Sequence, residues 1–189
     1  MPNIEDLPIG TCPGLQGGGW YFSPEGGPSG AAQVMVADLM FIGYFPHFGD
    51  TMKRAGISVT AIPGTARARC AIYTNEDGVP GDLIAEADAE LVLSVGINTF
   101  TFAAGVKSDP KGFWVGVTFA FSGGAPSCHG SAQSRSTGWA SGAYDFTLAR
   151  WGLTSGQYYY PPIQGAMAPR FPQGGSWNRS NMPLIGIAA

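Results

Sequence analysis

The sequence predicts an all-β protein: an antiparallel, jelly-roll-like β-sandwich preceded by an extended Gly/Pro-rich N-terminal arm. Three observations lead there. Charged residues make up 12% of the chain, about half the usual ~25%, and small residues replace them, with 29 Gly and 15 Pro. Apolar residues recur at period two in one segment after another, the spacing of half-buried strands. Gly/Pro turns separate those segments at intervals of ~8–15 residues, with no helical stretches between them that would build a parallel α/β sheet. Solvated helices need Lys, Glu and Arg on their outer faces, and the chain has three Lys in all. A length of 189 residues suits one core.

Residues 1–32 read as the arm and 33–189 as the sandwich. Pro2, Pro8, Pro13, Gly17–Gly19 and the run Pro24–Gly30 deny the arm both helix and long ladder, because Pro lacks a donor and Gly is costly to order. Trp20, Tyr21 and Phe22 interrupt it. Such a triplet anchors an arm, either on its own domain or on a neighbouring subunit, and these three are the candidate assembly residues.

Strand signals begin at Gln33, with the apolar run Val34–Ile42 ending at Pro46. Ala55–Ile62 alternates, placing Ile57, Val59 and Ala61 on one face. Pro63-Gly64 turns the chain into Ala66–Tyr73, where Ala66, Ala68, Cys70 and Ile72 share a face and Arg67 and Arg69 take the other. The run Asn75–Gly81 is dense in turn residues. Ala85–Leu93 alternates and reads as a strand despite its Ala and Glu. After Gly96 comes Ile97–Ala103, then an Asp-Pro-Lys-Gly turn at 109–112. The strand at 113–121 is apolar on both faces, as a central strand should be. Ser122–Trp139 reads as the longest loop, followed by short strands at 144–151 and 157–160, a Pro/Gly-rich stretch, and a last strand at 184–188.

The search for chemistry finds little. Neither His47, between aromatics, nor His129, in a loop beside Cys128, has a nucleophile–base arrangement, since sequence neighbours on a strand point to opposite faces. Glu86, Asp88 and Glu90 form a row of acids that suits a solvated edge better than a glycosidase pair. Asn75, Glu76 and Asp77 offer oxygens that turn geometry explains as well as a cation does. Cys12, Cys70 and Cys128 are widely spaced and read as free thiols. The expectation is therefore no catalytic, cofactor or metal site. Trp139, Tyr158, Tyr159 and Tyr160 sit in polar or Gly-rich stretches and are candidates for stacking on sugar rings. A net charge of −3 argues against nucleic acid as a partner, and no apolar run is long enough for a membrane helix. The first ten residues lack a secretory signal pattern, so synthesis in a cytosol is expected.

The run Arg69-Cys70-Ala71-Ile72-Tyr73-Thr74-Asn75-Glu76-Asp77-Gly78-Val79-Pro80-Gly81-Asp82-Leu83-Ile84 resembles a signature of tailed-bacteriophage virion surface proteins, especially tail-fibre and related domains. There an Arg-bearing strand ends in Ile-Tyr, followed by a Gly-x-Pro-Gly turn and Leu-Ile. Tyr44-Phe45-Pro46 before it, Gly112-Phe113-Trp114-Val115 after it, and the terminal Pro-Leu-Ile-Gly-Ile at 183–187 are similar in order. The resemblance spans residues 33–122 and, more loosely, the C-terminus. It implies a sandwich displayed on a virion, often as a trimer, with no catalytic residues to carry over. With no shaft or coiled-coil segment, the chain matches a small decoration, cement or tail-tip subunit whose partners are its own copies and other virion proteins. The alternative is a carbohydrate-binding module for a host surface glycan.

Overall fold

Among the described residues, alternating apolar and small polar residues build thirteen strands and no helix. The computed structural model describes residues 20–22, 28–37, 39–45, 50–76, 79–107, 109–131, 155–159, 167–171, 177–178 and 183–189, with backbone alone at 21–22, 28–31, 131, 155–159 and 177–178. The strands are β1 (Tyr21–Phe22), β2 (Pro28–Val34), β3 (Leu39–Phe45), β4 (Thr51–Ala61), β5 (Thr65–Glu76), β6 (Val79–Glu86) and β7 (Leu91–Val92). They continue with β8 (Gly96–Lys107), β9 (Phe113–Ser122), β10 (Ser127–Ser131), β11 (Ser155–Tyr159), β12 (Trp177–Asn178) and β13 (Ile185–Ala188).

Two antiparallel sheets result. The first runs β1-β13-β4-β10-β2, with β8 on the other edge of β4. The second runs β12-β11-β3-β9-β5-β6, with β7 beside the start of β5. Their inner faces close on one core. Met52, Ala55, Ile57, Val59, Phe100, Phe102, Ile185 and Ile187 come from the first sheet, and Phe41, Phe45, Cys70, Ile72, Val115, Val117 and Phe119 from the second. Phe41 meets Phe119 edge-on, with centroids 5.4 Å apart, and Phe45 stacks on Phe113 at 5.9 Å. Period-two alternation produces this directly, because each strand turns every second residue inward.

Side by side, β2, β10, β4 and β8 lie in the first sheet, and β3, β9, β5 and β7 in the second. The connections β2–β3, β9–β10, β4–β5 and β7–β8 each cross between sheets at one end of the sandwich. The β3–β4, β5–β6 and β8–β9 connections lie at the other.

Three readings of the sequence need correction. The apolar run Val34–Ile42 is two strands in different sheets: Met35 N–H bonds to the Pro126 carbonyl as the chain leaves β2. Ala85–Leu93 is broken at 87–90, where Asp88 turns to β8: its N–H donates to Thr101 O at 3.0 Å and its carboxylate accepts from Ala103 N–H at 3.2 Å. The stretch read as the longest loop contains β10, whose small residues give no periodic apolar signal beyond Cys128. Within the stretch read as an arm, β1 pairs with β13, and residues 28–32 belong to β2, which pairs with β10. Residues 1–19 and 23–27 lie outside the described residues.

Candidate functional site

Chemistry-bearing side chains concentrate on the outer face of the second sheet. Where β5 turns Cys70 and Ile72 inward, it must turn Arg67, Arg69, Ala71 and Tyr73 outward. Tyr73 and Ala71 join Met40 and Ile42 of β3 and Trp114 of β9 in a second apolar cluster, roofed by the segment Met167–Phe171. Trp114 is 2% exposed, and its indole N–H donates to Asn75 Oδ1 at 3.0 Å. Phe171 stands edge-on to Tyr73, with centroids 5.5 Å apart.

The roof is fastened by backbone. Leu83 N–H donates to Pro169 O at 2.9 Å, and Phe171 N–H to Gly81 O at 2.8 Å, so the segment runs antiparallel along β6 around the Asp82–Arg170 bridge. Ion pairs frame it. Arg170 contacts Glu76 at 2.6 Å and Asp82 at 2.7 Å, and these neighbours push the guanidinium pKa further up. Arg69 contacts Glu86 at 2.7 Å and Glu90 at 3.3 Å, while Arg67 reaches Glu90 at 3.1 Å. The second oxygen of Glu86 accepts the Met167 N–H at 3.0 Å.

The acids singled out in the sequence are therefore held by protein groups. Glu86 and Glu90 share Arg69 across one face, and Asp88 caps the backbone of β8. Asn75 is engaged by Trp114 and by the Lys111 carbonyl, Glu76 by Arg170, and Asp77 lies outside the described residues. Among the described residues, no group of three or more His, Cys, Asp or Glu is placed to hold a metal ion.

On the outer face of the first sheet β4 presents the small residues Gly56, Ser58 and Thr60, and one of the candidate assembly residues lies over the glycine. Trp20 crosses β4 over Gly56, where an added Cβ would stand 2.6 Å from the indole Cη2. Any side chain there would displace the ring, so glycine permits the approach. The Arg54 guanidinium lies 5.9 Å from the Trp20 ring centroid, and its Nη2 donates to the Ala189 main-chain oxygen at 2.9 Å. Tyr21 and Phe22 follow in β1, opposite Ile187 and Gly186 of β13. The triplet thus adjoins its own domain, Trp20 through its side chain and the other two through backbone pairing.

Of the sugar-stacking candidates, Tyr158 and Tyr159 lie in β11, opposite Met40 and Leu39. Trp139 and Tyr160 lie outside the described residues, as do His47 and Cys12. His129 sits on the exposed face of β10, with Nδ1 2.9 Å from Ser58 Oγ. Cys70 and Cys128 are buried free thiols, and burial raises both pKa values, that of Cys128 to about 12, so neither is a thiolate nucleophile at neutral pH.

Sequence reasoning missed the end of the sandwich where the four crossing connections gather. Val92, Val95 and Ile97 are 70%, 66% and 66% exposed, and Val34 and Val36 are exposed beside them on the β2–β3 side. The signal was available as the absence of Asp, Glu, Lys and Arg from 28–37, 55–66, 91–106 and 112–134.

No protein-family model matches this sequence, and no curated protein matches it.

Proposed function

We propose that the chain is a non-enzymatic structural subunit of a tailed-phage virion: a small decoration, cement or tail-tip protein that assembles as a homotrimer with other virion proteins. The observation that carries this reading is the strand order. Setting β2-β10-β4-β8 against β3-β9-β5-β6 supports a jelly-roll reading of the two antiparallel sheets, an architecture common among viral coat and lectin domains. That support is an analogy of fold. A second line of support is chemical: Glu86, Glu76 and Asp88 are engaged by Arg69, Arg170 and a backbone N–H. A third is the resemblance of residues 69–84 to virion surface domains. Trp20, which belongs to the proposed arm of residues 1–32, lies over Gly56 of β4.

Mass spectrometry of density-purified particles of the encoding phage tests the reading. A fixed stoichiometry of this chain per particle is expected. Its absence from purified particles overturns the proposal. So does glycan-array binding that disappears in Tyr158→Ala or Tyr159→Ala, which would make the chain a sugar-binding module instead.

A further inference from the structure

We infer that Asp88 is a strand-blocking residue: it takes the place of a ladder partner on the outer edge of β8 and keeps that edge from pairing with β8 of a second copy. The block acts whether or not the chain belongs to a virion, because it decides where copies do not join.

The sequence of β8 makes its edge sticky. Among the described residues its ladder partner is β4 alone, so its other edge is a margin of the first sheet. Residues 97–102 read Ile-Asn-Thr-Phe-Thr-Phe: five of the six are β-branched or aromatic, and none is charged, Pro or Gly. A six-residue run of that kind on a sheet edge is a template for another strand. The identical edge of a second copy fits it. Alternate residues of an antiparallel strand aim N–H and C=O at the same side, so Thr99 shares the outer edge with Thr101, whose carbonyl bonds outside the β4–β8 ladder. Antiparallel pairing that sets Thr99 against itself brings Ile97 of each copy opposite Thr101 of the other.

Thr101 is where the block stands. Its carbonyl accepts the Asp88 N–H at 3.0 Å, and the Ala103 N–H donates to the two Asp88 carboxylate oxygens at 3.2 and 3.3 Å. With one donor and one acceptor, Asp88 makes the two bonds that a residue of an incoming strand would make with its own N–H and C=O. It also sets a carboxylate where that strand would lie, and burying an unpaired charge there is costly. Asp88 is anchored from behind: the Ala87 N–H donates to Cys70 O of β5 at 2.9 Å, so two consecutive residues bond to the two sheets. The ladder breaks just beyond. Residues 102–105 oppose Lys53 alone, with Gly105 at φ +67°, and this bulge turns the edge off line before the exposed Lys107. On the same side of the sandwich the edge of the second sheet is covered too, by the Met167–Phe171 segment along β6. A β8 pair between copies is a two-fold contact, so the block leaves copies available for the three-fold contact of the proposed trimer.

Sedimentation equilibrium and amide hydrogen exchange of the full chain test this, with wild type beside Asp88→Ala, Asp88→Ala/Thr99→Lys and Asp109→Ala. Circular dichroism checks folding. In Asp88→Ala, exchange at Ala103 should rise roughly 10-fold or more, and at about 100 μM the mass should reach about twice that of the wild type. Adding Thr99→Lys should restore the wild-type mass, because the two-fold register sets lysine against lysine on the paired edges. Asp109→Ala removes a similar carboxylate bond, to the Lys111 N–H at 2.8 Å in the turn after β8, and should keep the wild-type mass. Asp88→Ala at wild-type mass with faster exchange at Ala103 overturns the inference, since the edge is then open and nothing joins it. A larger species that survives Thr99→Lys, or that forms equally in Asp109→Ala, also overturns it by tying association to lost stability instead of to the β8 edge. Unchanged exchange at Ala103 overturns it as well, because the carboxylate then does not hold that N–H.

Discussion

The two sheets share a core but finish their outer faces differently. The second sheet presents large side chains outward, Tyr73, Trp114, Met40 and Ile42, and a segment nearly a hundred residues further along the chain than Tyr73 is laid over them, by ~90–100 positions. The first sheet presents Gly56, Gly186, Ser58 and Thr60, and it is crossed by one indole from the N-terminal side. The difference follows from what each floor exposes. A floor of aromatics loses much apolar area to water unless a continuous segment covers it. Around the paired Gly56 and Gly186 the floor offers close approach, which a single flat ring fills.

If the second face is a true core layer, removing its largest member should be the costliest change on either outer face. Trp114→Ala deletes a side chain that is 2% exposed, and it leaves Asn75 Oδ1 without the indole donor at 3.0 Å. The expected loss is about 3–5 kcal/mol, read as a lower urea midpoint. A loss under about 1 kcal/mol would mean that the roof closes over an unimportant surface, and the contrast between the faces would collapse.

The first face predicts a smaller and more specific effect. Gly56→Val places a branched side chain where the Trp20 ring lies, so the ring must leave or the strand must shift. Overpacking of that kind costs about 1–3 kcal/mol. In the background of Trp20→Ala the same valine should cost much less, a coupling that a double-mutant cycle measures. Equal costs in both backgrounds would show that Trp20 does not cover Gly56.

The fastening of the roof carries an effect of similar size. Glu86→Ala removes the acceptor of Met167 N–H at 3.0 Å and the closer carboxylate partner of Arg69. Both Glu86 and Arg69 are about four-fifths covered at the side chain. Leaving the amide and guanidinium short of partners should cost about 1–3 kcal/mol in thermal or urea melts. It should also raise hydrogen exchange at Leu83 and Phe171, whose N–H groups close the roof. Unchanged exchange there would separate the salt bridge from the roof.

How far these features could be read from sequence depends on what signalled them. The β9 strand and the inward faces of β4 and β5 were legible because Val115, Val117 and Phe119, or Ile57 and Val59, repeat at the strand period. The strand β10 was not, since Cys128 is its one core-facing apolar side chain among small residues. The acids at 86, 88 and 90 were visible as a row but not as three roles, because Arg69 and Ala103 approach from strands that pairing alone brings near. The roof was invisible for the same reason: Met167–Phe171 is too short for a periodic pattern, and its partner strand β6 lies far back in the chain. The placement of Trp20 needed Gly56, and no local rule connects them.

The smallest expected effect concerns the ion pairs that look most like a latch. Arg170 reaches Glu76 at 2.6 Å and Asp82 at 2.7 Å, but its side chain is more than half exposed. Exposed pairs gain little, because water and salt already solvate both partners. The Leu83–Pro169 and Phe171–Gly81 backbone bonds remain when the guanidinium is removed, and Phe171 stays packed on Tyr73. Arg170→Ala should therefore shift the melting temperature only slightly, and ~1 M NaCl should leave the wild type equally unmoved. A drop as large as that of Glu86→Ala would reverse the comparison: charge, rather than backbone pairing and apolar contact, would then hold the roof on the second sheet, and both faces would depend on a single side chain.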